Sequence, residues 1–146
     1  MKNRNFTNII LEGTDGVGKS TLQHALLEHY KYRIPVYDRG EMSNMVYAKK
    51  YNRPFSAMQR HLPILYILLT CDETELRYRI TKRSGEENWD PISTEKELEK
   101  IKDQSEFIKL VPYFAKDYHL LTLDTTHLNE EETLNCVVKM IEEYST

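Results

Sequence analysis

Two cysteines, Cys71 and Cys136, are too few for a disulfide framework and too isolated for a zinc site. They read as reduced thiols in a cytoplasmic protein, with Cys71 buried and inert at the end of a strand. Long apolar runs are missing too. No segment is long enough to cross a bilayer, and the apolar part of "MKNRNFTNIILEG" is too short for a secretory signal, so no membrane partner is expected. Neither sign of charge prevails: 20 Lys and Arg face 23 Asp and Glu, for a net charge of -3. That balance argues against a general nucleic-acid coat. Repeats and low-complexity tracts are absent, and the five histidines (24, 29, 61, 119 and 127) show no metal-ligand spacing.

What is present is a globular composition, 40% hydrophobic and 29% charged, at a length that suits a single domain over residues 1–146. Strand-like runs cover residues 6–12, 34–37, Ile64–Thr70 and 119–123, each apolar at consecutive positions as a strand covered on both faces is. Helical patterns lie between and after them. One opens at Lys19, with Leu22, Ala25, Leu26 and Tyr30 on one face. A second starts at Asp72, an N-cap residue with Glu75 at the capping-box spacing. A third begins at Thr94 and repeats Leu98, Ile101, Ile108 and Val111. The last runs over about 130–144 with Leu134, Val137, Val138 and Ile141 as its stripe. Alternating strands and helices predict an α/β fold with a parallel sheet of about four strands covered on both faces; the spatial order expected of it is 2-1-3-4. The polar stretch "KRSGEENWDP", and the surrounding residues 82–93, has the character of a lid.

Glycine is scarce, five in all, yet three fall within "GTDGVGKS", residues 13–20. This G-x-x-x-x-G-K-S spacing follows an apolar strand and opens an amphipathic helix, which is the setting in which such a loop wraps backbone N–H groups around phosphates. Gly13, Thr14, Asp15, Gly16, Val17, Gly18, Lys19, Ser20 and Thr21 are therefore candidate nucleotide contacts. Lys19 can reach the β- and γ-phosphates, and Ser20 can coordinate Mg²⁺, so ATP and Mg²⁺ are the expected cofactors. Three classes of protein use this loop. A GTPase needs a later N-K-x-D and a mechanical ATPase a strand ending in Asp-Glu, and the sequence has neither. A kinase acting on a small molecule needs arginines around its acceptor and its transferring phosphoryl group.

Those arginines are there. Asp38 and Arg39 follow the second strand-like run; if that strand lies beside the first, they sit at the carboxyl edge of the sheet, near the phosphates. Asp38 can hold a metal-bound water, and Arg39 an acceptor phosphate. Arg79 and Arg83, four apart on one helix face, can neutralise charge that develops during transfer. Lys19, Arg39, Arg79 and Arg83 are thus the candidate catalytic residues, and Ser20 and Asp38 the candidate metal ligands.

"IILEGTDGVGKSTL" closely resembles the opening of thymidylate kinases, and "DRGEMSNMVYA" resembles their D-R-x-x-x-S-x-x-A-Y segment at Asp38, Arg39, Ser43 and Tyr47. "DETELRYRITKRSG" is similar to the segment that leads into the family's lid, and "YHLLTLDTT" to its ending. Deoxynucleoside kinases are similar over "ILYILLTCDETELRYRITKRSGEEN". The resemblance implies the three-layer P-loop NTPase fold in a shortened form. It implies that Asp15 faces the acceptor's sugar hydroxyl, that Arg39 binds its phosphate, and that Ser43 and Tyr47 line its pocket. Arg79 and Arg83 then serve the donor and the transition state. A homodimer is compatible with it.

"HYKYRIPVYDRG" runs almost directly from helix to strand, without the strand, helix and R-E-P-G-type segment that the family inserts there. Gly40 stands for an aromatic and Ala48 for a Gln, and the glutamate base of deoxynucleoside kinases has no counterpart. Arg53 and Arg60 are candidates to replace the lost acceptor contacts. The expected activity is ATP–Mg²⁺-dependent phosphoryl transfer to a deoxynucleoside monophosphate. A nucleoside, another acceptor (a nucleic-acid end or a metabolite) and nucleotide binding without catalysis are the alternatives.

Overall fold

The computed structural model describes residues 4–55, 63–83 and 91–145, and for Arg83 and residues 91–94 the backbone alone. The strands are β1 (Asn8–Glu12), β2 (Val36–Asp38), β3 (Ile64–Thr70) and β4 (His119–Asp124). The helices are α1 (Lys19–His29), α2 (Glu41–Lys50), α3 (Glu73–Arg83), α4 (Pro91–Asp117) and α5 (Glu130–Tyr144). All strand pairs are parallel, as the alternation of elements predicts, and the order across the sheet is the expected β2-β1-β3-β4. None of the described helices is long and apolar enough to cross a membrane.

Two cores form because successive side chains on a strand point to opposite faces. Ile9, Leu11, Leu65, Ile67 and Leu69 pack with Leu22 and Leu26 of α1, Leu76 of α3, and Val137 and Ile141 of α5. Ile10, Ile64, Tyr66 and Leu68 pack on the other side with Met42 and Val46 of α2 and Phe107 and Phe114 of α4. Both faces of β1 and β3 are therefore covered, which explains their unbroken apolar character. Each fully buried aliphatic side chain contributes roughly 1.5–3 kcal/mol, so the two layers together dominate stability. β4 is different. It lies at the sheet edge and is only partly covered, contrary to the expectation drawn from its apolar run.

The apolar stripe read for α4 is also corrected. Leu98 and Ile108 are 51% and 49% exposed, whereas Glu97, Asp103, Gln104, Phe107 and Phe114 are buried. The helix begins at Pro91, not Thr94, because proline suits a first helical position. Of the lid-like stretch, residues 84–90 lie outside the described residues, while its ends belong to α3 and α4. At the start of α3, Asp72 does act as a cap: its carboxylate accepts the Glu75 N–H at 2.8 Å.

α2 was not legible as a helix. Gly40 precedes it without any side-chain cap of its own. The cap comes from Glu12, at the end of β1. Its carboxylate accepts the backbone N–H groups of Gly40 at 2.9 Å, Met42 at 2.6 Å and Ser43 at 3.2 Å, and the Ser43 hydroxyl at 2.6 Å. One buried carboxylate thus meets three of the orphan donors that open a helix, and the helix dipole favours its charge.

Candidate active site

The loop between β1 and α1 leaves the sheet at its carboxyl edge. Gly13 has a φ of +135°, and a Cβ there would lie 2.6 Å from the Leu69 carbonyl oxygen, so the first turn requires glycine. Val17 is buried in the core and anchors the middle of the loop. Gly18 caps α1 in the left-handed region, leaving the first N–H groups of the helix facing the loop. Ser20 and Thr21 are exposed in that first turn.

Lys19 is only 5% exposed, and its Nζ donates to the Thr14 carbonyl at 2.9 Å, across the mouth of the loop. Burial lowers its pKa to about 8, with the Arg39 charge acting in the same direction, while Asp38, Asp15 and Glu12 oppose the shift. The Thr14 hydroxyl is buried and has no hydrogen-bond partner among the described residues.

Asp38 ends β2 and Arg39 follows it, both beside this loop through the parallel pairing of Leu11 with Asp38. The Ser20 hydroxyl donates to Asp38 Oδ2 at 3.2 Å, whereas Asp38 Oδ1 is buried without a partner among the described residues. The hydroxyl and the free carboxylate oxygen form a hard-oxygen donor pair that fits Mg²⁺. Arg39 adopts a φ of +74°, uncommon outside glycine, and its N–H donates to the Leu11 carbonyl at 2.9 Å. The adjacent Gly40 leaves no room for a side chain, since a Cβ would lie 2.9 Å from Ile10 Cγ2. Turned in this way, the Arg39 guanidinium pairs with Asp15 Oδ1 and lies 5.7 Å from the Tyr47 ring centre.

The second oxygen of Asp15 is taken by Lys100 of α4, at 2.9 Å. Burial raises the pKa of Asp15, but Lys100, with Arg39 and Lys19, outweighs that effect and holds it below the ordinary carboxylate value. Burial likewise opposes the charge on Lys100, and Asp15 reverses it, raising its pKa. Tyr47 packs edge-on against Phe107 with 6.3 Å between ring centres. Its hydroxyl is buried without a partner among the described residues, and burial raises its pKa.

Lys19, Ser20, Asp38, Arg39, Asp15 and Tyr47 therefore converge on one edge of the sheet. Ser43 does not line a pocket: it is 3% exposed and its hydroxyl is committed to Glu12. Arg79 is turned toward the loop after β4, where it donates to Thr125 Oγ1 at 2.8 Å and Thr125 O at 2.6 Å while pairing with Glu75 at 2.9 Å. The side chain of Arg83 and all of Arg60 lie outside the described residues. Arg53 stacks its guanidinium over Tyr51, 5.0 Å from the ring centre.

Two side chains that shape this site, Glu12 and Lys100, escaped the sequence reading. Glu12 carried a usable signal, a charged residue ending an otherwise apolar strand. Lys100 carried none, being one lysine among several on a polar helix.

A scan against protein-family models finds no match, and a search of curated proteins finds none either. Solved structures do match. A thymidylate kinase from Candida albicans is 14% identical with a TM-score of 0.61, covering 97% of this chain and 92% of its own. A gluconokinase from Sinorhizobium meliloti is 14% identical with a TM-score of 0.56, covering 98% and 95%. The fold is that of the P-loop kinases.

Proposed function

We propose that this protein is an ATP–Mg²⁺-dependent phosphotransferase acting on a nucleotide, with a deoxynucleoside monophosphate as acceptor. The observation that carries the reading is the pairing of Arg39 with Asp15 beside the P-loop lysine, in a conformation that Glu12 and Gly40 lock. A guanidinium there suits an acceptor phosphate, and a neighbouring carboxylate suits a sugar hydroxyl. Lys19 and the N-terminus of α1 hold the donor phosphates. Ser20 and Asp38 would hold Mg²⁺, which would supply positive charge to offset that of the donor phosphates. An acceptor phosphate oxygen is already ionised at neutral pH and needs no general base. That suits a site where Glu12 is saturated by four donors and Asp15 by two cations. Catalysis then rests on positioning and on charge neutralisation.

A second reading is favoured by the free Oδ1 of Asp38. Were that oxygen a general base, the acceptor would carry a hydroxyl, as in a nucleoside or a sugar acid. Incubation with ATP–Mg²⁺ and a panel of monophosphates, nucleosides and sugar acids, with Lys19→Ala as control, separates the two. Transfer to monophosphates is the expected result. Transfer confined to hydroxyl acceptors selects the second reading, and nucleotide binding without any transfer removes both.

A further inference from the structure

We propose that Lys100, together with Arg39 and the Tyr47 hydroxyl, forms the site that grips the acceptor's anionic group, with Asp15 holding the two cations in place until that group arrives. The inference deepens the reading above and rests on it for the identity of the anion. It starts from a geometric fact. The two oxygens of one carboxylate each hold a different cation, Arg39 from the β2 edge and Lys100 from α4. Two cations that share a carboxylate are spaced to share a phosphate or another carboxylate in the same way.

Stability does not account for the arrangement. The Asp15, Lys100 and Arg39 side chains are 37%, 23% and 45% exposed, and ion pairs in that range contribute about 0–1 kcal/mol. An incoming anion therefore displaces little when it takes the cations over. Tyr47 adds an independent observation. Its buried hydroxyl lacks a partner among the described residues and lies within the electrostatic reach of Arg39, Asp15, Lys100 and Asp103. Such a donor left unmade is costly in a monomeric core and useful at a site where a ligand oxygen completes it.

The position of Lys100 is also built. One turn further along α4, the buried Gln104 side chain accepts the Cys71 N–H at 3.0 Å and donates to the Cys71 carbonyl at 2.6 Å. This two-point clamp ties α4 to the end of β3 and so sets where Lys100 emerges. The competing carboxylate, Asp103, lies 3.9 Å from Lys100 but is held by Lys50 at 3.0 Å. Lys100 is thereby left to Asp15 and to whatever replaces it.

The test is equilibrium binding to the full chain with Mg²⁺ and a non-hydrolysable ATP analogue present. The probes are the four deoxynucleoside monophosphates, the four deoxynucleosides and gluconate. Lys100→Met should weaken monophosphate binding about tenfold or more, the loss expected of one charge-assisted hydrogen bond. Nucleoside affinity and analogue affinity should change less than twofold, and Lys100→Arg should restore most of the loss. Unchanged monophosphate binding in Lys100→Met, or an equal loss for nucleosides, overturns the inference. If the wild type binds gluconate but no monophosphate, the nucleotide reading fails, and the same variant comparison on gluconate decides the role of Lys100. If the wild type binds none of the anions, both fall. A circular-dichroism melt of Lys100→Met within a few degrees of wild type separates loss of a contact from loss of fold.

Discussion

Glu12 and Ser43 are 31 residues apart in the chain, and the Ser43 hydroxyl donates to the Glu12 carboxylate at 2.6 Å. With the three backbone N–H groups that meet the same carboxylate, this bond fastens the start of α2 to the end of β1 and holds Arg39 between them. Burial raises the pKa of Glu12, and the hydrogen bonds only partly offset it. Glu12→Gln replaces an acceptor oxygen by an amide NH2, a donor that faces donors. The expected loss is about 2–4 kcal/mol, since several charge-assisted bonds go at once. Urea unfolding measures it, and a loss below about 1 kcal/mol would show that the network is not what caps α2.

Lys19 gives two pH effects of opposite sign. Its pKa is about 8 in the folded protein against an ordinary 10.5, so the unfolded chain binds more protons between those values. Its contribution to stability is therefore most favourable above pH 10.5 and is lost as the pH falls through about 8. Nucleotide binding runs the other way, because the phosphates need the charged lysine. Affinity for an ATP analogue should be flat below about pH 7 and fall by up to tenfold per pH unit above about 8. Calorimetry in two buffers of different ionisation enthalpy should register proton uptake on binding near pH 8, and Lys19→Met should abolish it.

Asp38→Asn tests the metal assignment. The Ser20 bond survives in this variant, since an amide oxygen accepts as a carboxylate does, but the negative oxygen that is free for Mg²⁺ is gone. The Mg²⁺ concentration that half-saturates nucleotide binding should rise about 10- to 100-fold with little change in the melting temperature. An unchanged Mg²⁺ requirement would remove Asp38 from the metal site.

Tyr47→Phe should separate stability from function. The hydroxyl is buried and unpartnered among the described residues, so deleting it costs the fold nothing and can stabilise it by up to about 1–2 kcal/mol. Acceptor affinity should fall in the same variant. Thermal melts and binding isotherms recorded together check the sign of each effect. A marked loss of stability would show that the hydroxyl is already bonded in the folded protein.

Much of the frame could be read from consecutive residues. The loop spacing, the apolar strands before and beside it, and the stripes of α1 and α5 are local patterns, and the parallel direction of the strands followed from their alternation with helices. Asp72 was readable for the same reason, since it caps a helix three residues away. α2 was not, because its cap belongs to another strand. The face of α4 was misread because its buried positions are polar as often as apolar: Asp103 and Gln104 face inward to bond Lys50 and Cys71, while Leu98 and Ile108 face out.

The sequence by itself determined that a glycine-rich loop of phosphate-binding spacing follows the first strand of a parallel α/β sheet, with Asp38 and Arg39 at the end of the second. A glycine spacing and a hydrophobic period act over a few residues and need no partner to be recognised. Only the tertiary structure decided what surrounds the loop: that Ser43 serves Glu12, that Arg79 ties down Thr125, and that Lys100 reaches Asp15 from a helix more than eighty residues along the chain. Those pairings depend on which residues the folded sheet brings within hydrogen-bond reach. That is a property of where the strands and helices pack, and no single segment of the chain carries it.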